Sequence, residues 1–249
     1  MAQEISQSSA TLIEAVGASV QRTSSHRVVI EDVNWQVGAG EYWVVGGRHG
    51  SGKSAFLATM AGLQRPGAGV IRHFGRELAG LSEPESIALR KRVGFVFKGG
   101  GRMFPDLTVA ENVALPLRYH RDWAGGEAID AIQGLLEATV LTGLADGTAQ
   151  SLTTGWQQRV GLARALALEP EVLFLDEPVA GLEASHRMWW RDFLEQLSQG
   201  AGWARGRKMT LIVATSDYSL WGGARRHFGH LKDGRWDCLG ERSEIPEMN

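Results

Sequence analysis

Cysteine is nearly absent from this chain of 249 residues. Cys238 is its single example, which excludes an internal disulfide and a cysteine-based zinc site and fits a reducing, cytoplasmic setting. No run of about 18 apolar residues occurs, so direct insertion across a bilayer is not expected. Positive charge is not in excess: 26 Lys and Arg face 28 Asp and Glu, for a net charge of −2. A dedicated nucleic-acid binder would show a strong basic surplus, so no nucleic-acid partner is expected. The opening Met1-Ala2-Gln3-Glu4-Ile5-Ser6-Gln7-Ser8-Ser9-Ala10 lacks the basic-then-apolar pattern of a signal peptide. Residues 1–10 read as a disordered lead and residues 241–249 as a tail. What the chain has in plenty is glycine, 32 residues, together with 43% hydrophobic and 22% charged residues. These values suit a soluble globular protein with a real core and many backbone-driven turns.

Residues 12–45 read as short strands: Val28-Val29-Ile30, Val33-Asn34-Trp35-Gln36-Val37 and Glu41-Tyr42-Trp43-Val44-Val45, with Gly38-Ala39-Gly40 between the last two. A helix is expected from Lys53 to Gly62. Ser82-Glu83-Pro84-Glu85 is a capping-box pattern opening a helix to about Arg92, and Val93-Gly94-Phe95-Val96-Phe97 then reads as a buried strand. Thr108-Val109-Ala110-Glu111 opens another helix, which Pro116 should kink or end. Ile129, Ile132, Leu135, Leu136 and Val140 recur at helical spacing, predicting an amphipathic helix over about 127–141. A further helix is expected from Trp156 to Leu168. Val172-Leu173-Phe174-Leu175 and Met209-Thr210-Leu211-Ile212-Val213-Ala214 are strand-length apolar runs, and Asp233-Gly234 signals a hairpin. Apolar strands alternating with helices predict a mainly parallel sheet covered on both faces, with a helical lobe over about 100–168.

Gly47-Arg48-His49-Gly50-Ser51-Gly52-Lys53-Ser54 fits the phosphate-loop pattern G-x-x-x-x-G-K-[ST] in full, after a strand and before a helix. Its glycines let backbone N–H groups close on phosphates, Lys53 would reach the β- and γ-phosphates of ATP, and the Ser54 hydroxyl would ligand Mg²⁺. Leu173-Phe174-Leu175-Asp176-Glu177-Pro178 supplies the complement. Asp176 would hold the Mg²⁺ and Glu177 would polarise the attacking water.

With these motifs in this order, residues 12–240 resemble the ATP-binding subunits of ATP-binding cassette (ABC) transporters. Carrying the resemblance further are Met103-Phe104-Pro105-Asp106-Leu107-Thr108-Val109-Ala110-Glu111-Asn112-Val113, Leu152-Thr153-Thr154-Gly155-Trp156-Gln157-Gln158-Arg159 and Leu162-Ala163-Arg164-Ala165-Leu166. The resemblance implies an α/β fold: a P-loop NTPase core of RecA-like, mainly parallel sheet, an antiparallel β subdomain, and a helical subdomain at about 99–168 within one domain over 11–240. It also implies two subunits, a homodimer or a pair with a second ABC subunit, sandwiching two ATP molecules. Each P-loop would then face Thr153 and Gly155 of the other subunit's signature. A separate membrane permease would dock on the helical lobe, placing the chain peripherally on the cytoplasmic face of the inner membrane. The stretches 95–104 and 112–120 look most like the Mla/Mce phospholipid-transport ATPases.

Several positions depart from the family pattern. Lys98 stands at the Q-loop glutamine, and an ammonium has donors but no acceptor, so it cannot ligand Mg²⁺ but could contact a phosphate. Thr154 and Trp156 alter the signature Leu-Ser-Gly-Gly-Gln. Ser216 replaces the switch histidine, Glu183 the D-loop aspartate, and Val20 aligns with the aromatic that stacks on adenine. Arg48 and His49 add positive charge inside the P-loop, or else face solvent on its outer edge. Gly99-Gly100-Gly101 suggests a hinge. The leading expectation is an ATPase motor that binds Mg-ATP, dimerises and hydrolyses slowly to drive a permease. The alternative is a nucleotide-gated structural or regulatory cassette with little or no ATPase activity.

Overall fold

The computed structural model describes residues 10–22, 27–120, 126–242 and 244–246; the remainder of the lead and of the tail lie outside the described residues. Two sheets organise the chain. The first is four-stranded and antiparallel, formed by β1 (Thr11–Gln21), β2 (Val28–Gly38), β4 (Val70–His73) and β5 (Arg76–Glu77) in the order β2-β1-β4-β5. The second is six-stranded, in the order β10-β9-β3-β8-β7-β6. Its strands are β3 (Tyr42–Gly47), β6 (Val93–Val96), β7 (Val172–Asp176), β8 (Thr210–Thr215), β9 (Arg226–Lys232) and β10 (Arg235–Arg242). All its pairings are parallel except that of β10 with β9.

Strict alternation along the central strands divides the core between the faces of the large sheet. Val44, Leu173, Leu175, Leu211 and Val213 point into one cluster, with α3 (Val109–His120), α4 (Gly126–Ala138), α5 (Thr154–Leu166) and α6 (Ala184–Gln199). Trp43, Val45, Val172, Phe174 and Ile212 point into the other, against α1 (Lys53–Met60) and the antiparallel sheet. Trp35, Trp43, Phe56 and Trp236 lock β2, β3, α1 and β10 together. Phe56 stacks on Trp236 at 4.7 Å and Trp35 meets Trp43 edge-on at 5.2 Å. These tryptophans are packing residues, as is the fully enclosed Trp190.

Local sequence chemistry accounts for the element boundaries. The Ser82 N–H and hydroxyl both donate to Glu85 at the start of α2 (Glu83–Lys91). Thr108 and Glu111 cap α3 reciprocally, at 2.9 and 3.1 Å. Asp233 and Gly234, both at positive φ, turn the β9–β10 hairpin.

Three expectations are corrected. Val28 to Gly38 form one strand, not two, with register shifts along its pairing to β1 absorbing the break near Asp32. Helix α3 runs on past Pro116 to His120. Helix α4 stops at Ala138, because the Val140 and Leu141 N–H groups turn back to Glu137 and Leu136 with Val140 at φ 59. Val140 is therefore exposed, although its spacing fits the helix.

Because β3, β6, β7 and β8 are parallel, the 47–54 loop, Lys98, Asp176-Glu177 and Ser216 all leave the same edge of the sheet.

Candidate functional site

Gly52 sits at φ 97 as the residue before α1 and offers no side-chain cap, so the first N–H groups of α1 remain free to meet an anion. A side chain at Gly52 would press on Ile30 at 3.3 Å and force an unfavourable backbone. Lys53 follows and is buried. Its ammonium donates to the Gly47 carbonyl at 2.7 Å, the Arg48 carbonyl at 3.1 Å and Ser216 Oγ at 3.0 Å, and lies 3.1 Å from Glu177 Oε1. This cation is satisfied by four oxygens of the chain.

Glu177 has φ 49, a costly conformation for a non-glycine, held by its N–H bond to the Ala214 carbonyl at 3.0 Å. The Ser216 hydroxyl donates to Glu177 Oε1 and the Ser216 N–H to Oε2, the latter at 3.2 Å. Ser216 therefore orients the carboxylate and also accepts from Lys53. Asp176 ends β7. Burial pushes its carboxyl up, and the charge of Glu177 adds to that; a Ser54 hydrogen bond and the charges of Lys98 and Lys53 oppose it. Asp176 Oδ1 is enclosed with no hydrogen-bond partner. An orphaned carboxylate oxygen beside a serine hydroxyl is a donor set that fits a divalent cation completed by phosphate and water.

A cleft of about 520 Å³ unites Lys53, Ser54, Lys98, Asp176 and Glu177, with His49 at its mouth. Arg48 and His49 expose their side chains and also line a larger cavity of about 1410 Å³ toward the β9–β10 hairpin. Gly50 and Ser51 line that cavity too.

Thr153 and Gly155 do not join this cleft within one chain. Thr153 is exposed before α5, while Gly155 is buried beneath the His186 ring. Trp156 is half-buried. It meets His186 edge-on at 5.1 Å and covers the Arg159 guanidinium at 4.5 Å, which Trp189 covers at 3.8 Å from its other neighbour α6. Burial holds the Arg159 group down at about 10, so it stays cationic at neutral pH. Val20 is fully buried in β1 and cannot stack on a base; Arg22 lines the cleft instead.

Of the glycines at 99–101, Gly99 has open space around it but Gly100 is tightly packed. Gly100 is buried at φ 84, and a side chain there would collide with the Gln157 carbonyl, while one at Gly161 would lie 2.5 Å from the Gly100 carbonyl oxygen. The Gly100→Ala variant should lose about 1–3 kcal/mol through backbone strain and overpacking, read as a thermal midpoint lowered by several degrees. An unchanged midpoint would refute the tight joint.

Fold and site together define a P-loop nucleotide-binding α/β protein. Residues 30–180 match the family model "ABC transporter". The sulfate/thiosulfate import ATP-binding protein CysA of Escherichia coli (strain K12) is 36% identical over 203 residues, covering 80% of this chain and 52% of that protein. The methionine import ATP-binding protein MetN 1 of Acinetobacter baylyi is 32% identical over 208 residues, covering 84% of this chain and 56% of that protein. A dimeric post-hydrolysis structure of the ATP-binding cassette MJ0796, bound to ADP and Pi, superposes with TM-score 0.79 at 26% identity, covering 93% of this chain and 100% of that one. The chain belongs to the ABC transporter family and has the fold of its ATP-binding domain. It spans about half the length of the curated relatives it matches. Those relatives are named for sulfate, thiosulfate and methionine import, not for phospholipid transport.

Proposed function

We propose that this chain is the ATP-hydrolysing motor of an ABC transporter. The observation that carries the proposal is the convergence of Lys53, Ser54, Asp176 and Glu177 on one cleft at the sheet edge. In this reading the 47–54 loop and the α1 N-terminus hold the phosphates. Ser54 and Asp176 hold Mg²⁺, which would draw charge from the phosphates, and Glu177 takes the proton of the attacking water. Ser216 keeps Glu177 aimed but cannot become a cation, so turnover is slow relative to a site with an added positive donor. Lys98 touches phosphate. Two copies, or this chain with a second cassette, close face to face so that Thr153 and Gly155 of one meet the nucleotide of the other; the dimeric cassette superposed above supports this arrangement.

The alternative, a nucleotide-gated structural cassette, draws on the same loss of a switch histidine; the aligned and buried Glu177 favours the motor.

No helix among the described residues is long and apolar enough to cross a membrane. A partner permease at the cytoplasmic face is therefore part of the proposal. Phe97 and Phe104 are 52% and 44% exposed beside the Lys98 turn and offer it an apolar contact, whereas Met103 packs on the core. The import relatives support an importer. The phospholipid assignment has only the stretches 95–104 and 112–120 in its favour. Tagged chain purified from native membranes in mild detergent should bring down one integral permease, and that subunit's identity decides the cargo. Recovery without any membrane subunit would refute the motor role.

A further inference from the structure

Lys53 is already saturated by four oxygens of the chain, but Lys98 is not. Among the described residues Lys98 has no carboxylate within ion-pair distance, its side chain is exposed, and it lines the cleft that holds Ser54 and Asp176. Its charge acts on Asp176, the carboxylate whose Oδ1 lacks a partner. Its backbone is fixed as well: the Gly100 N–H returns to the Phe97 carbonyl at 2.9 Å, and Gly100 abuts the α5 backbone at Gln157. The turn that carries this charge is thus held at the rim of the cleft that contains the acid.

Such a placement has a chemical consequence. A divalent cation bound with a nucleotide does two things: it neutralises phosphate charge, and it links phosphate to a protein carboxylate. An ammonium with three donors can do both, and its charge also repels a metal drawn to the same oxygens. A glutamine at this position would offer the metal a carbonyl oxygen; Lys98 withholds it.

We propose that Lys98 is a built-in substitute for part of the divalent cation's work, so that this chain binds nucleoside triphosphate with weak dependence on Mg²⁺. The inference rests on the nucleotide site proposed above. An unpaired cation in the same cleft as an orphaned acid also favours phosphate-rich ligands over a nucleoside, whose base and sugar supply no charge for Lys98 to meet.

The test is calorimetric titration of the whole chain with ATP and with a non-hydrolysable ATP analogue, in excess Mg²⁺ and in excess EDTA at matched ionic strength. Wild type should lose no more than about threefold in affinity when Mg²⁺ is removed. The Lys98→Gln variant, which restores an acceptor and removes the charge, should lose at least about tenfold, the scale of one charge-assisted contact. Lys98 is exposed, so a melting curve should show that the variant folds as wild type does. Wild type that binds in Mg²⁺ but not in EDTA would overturn this inference alone, leaving the nucleotide site intact. Equal Mg²⁺ dependence in wild type and Lys98→Gln would also overturn it, reducing Lys98 to an ordinary phosphate contact. Failure of wild type to bind in either condition would bring down the nucleotide site itself.

Discussion

Replacing Lys53 by alanine should weaken ATP binding at least tenfold and also lower the stability of the nucleotide-free chain. The first effect follows from losing a charge-assisted phosphate contact, worth about 1.5–3 kcal/mol. The second follows from the contacts of Lys53 within the chain. Lys53 and Glu177 are both largely enclosed, with side chains 5% and 10% exposed, and the cation also serves Gly47, Arg48 and Ser216. Removing it leaves a buried carboxylate with serine donors only, and breaking a buried pair typically costs about 3–5 kcal/mol. Calorimetric titration reads the first effect and thermal melting the second. Lys53→Arg separates them, because it keeps a cation for Glu177 while altering the phosphate contact. Unchanged nucleotide affinity in folded Lys53→Ala protein would end the P-loop assignment.

Glu177→Gln should move catalysis and binding in opposite directions. The amide keeps the side chain's shape and one acceptor for the Lys53 and Ser216 contacts, yet it cannot take a proton from water. Loss of a positioned general base typically lowers turnover by about 10²–10⁴-fold. At the same time a negative charge disappears from beside Lys53, so triphosphate affinity should hold or rise. Steady-state hydrolysis and nucleotide titration of the same preparation give both numbers. Full turnover in the variant would leave Glu177 as nothing more than the counter-ion of Lys53.

Much of what depends on contiguous residues was legible in the sequence, although the unbroken strand Val28–Gly38, the run of α3 past Pro116 and the end of α4 at Ala138 were not. The 47–54 loop, the Asp176-Glu177 strand end, the capping boxes and the Asp233-Gly234 turn each carry their geometry within a few positions. Features joining distant segments were not. Nothing local marks Ser216 as a shared partner of Lys53 and Glu177, or His186 as the ring over Gly155. The burial of Val20 has a physical reason: register shifts at Ala15/Ala18 and Ala18/Val20 break the alternation of β1, so Ala18, Ser19 and Val20 are all buried in succession. Arg22, beyond that irregularity, reaches the cleft. The setting of Trp156 was not legible either, because Arg159 and Trp189 complete a packed stack that only the meeting of α5 with α6 creates.

The joint between the Lys98 turn and α5 is made by backbone, with Gly100 against the Gln157 carbonyl and Gly161 against Gly100. Side chains meeting across an interface can switch rotamer and absorb a small displacement. Peptide planes in direct contact have no such slack. The close fit therefore sets the spacing between the Lys98 turn and α5, the helix that begins beside exposed Thr153. The two glycines fix how closely the turn that lines the cleft can sit against that helix.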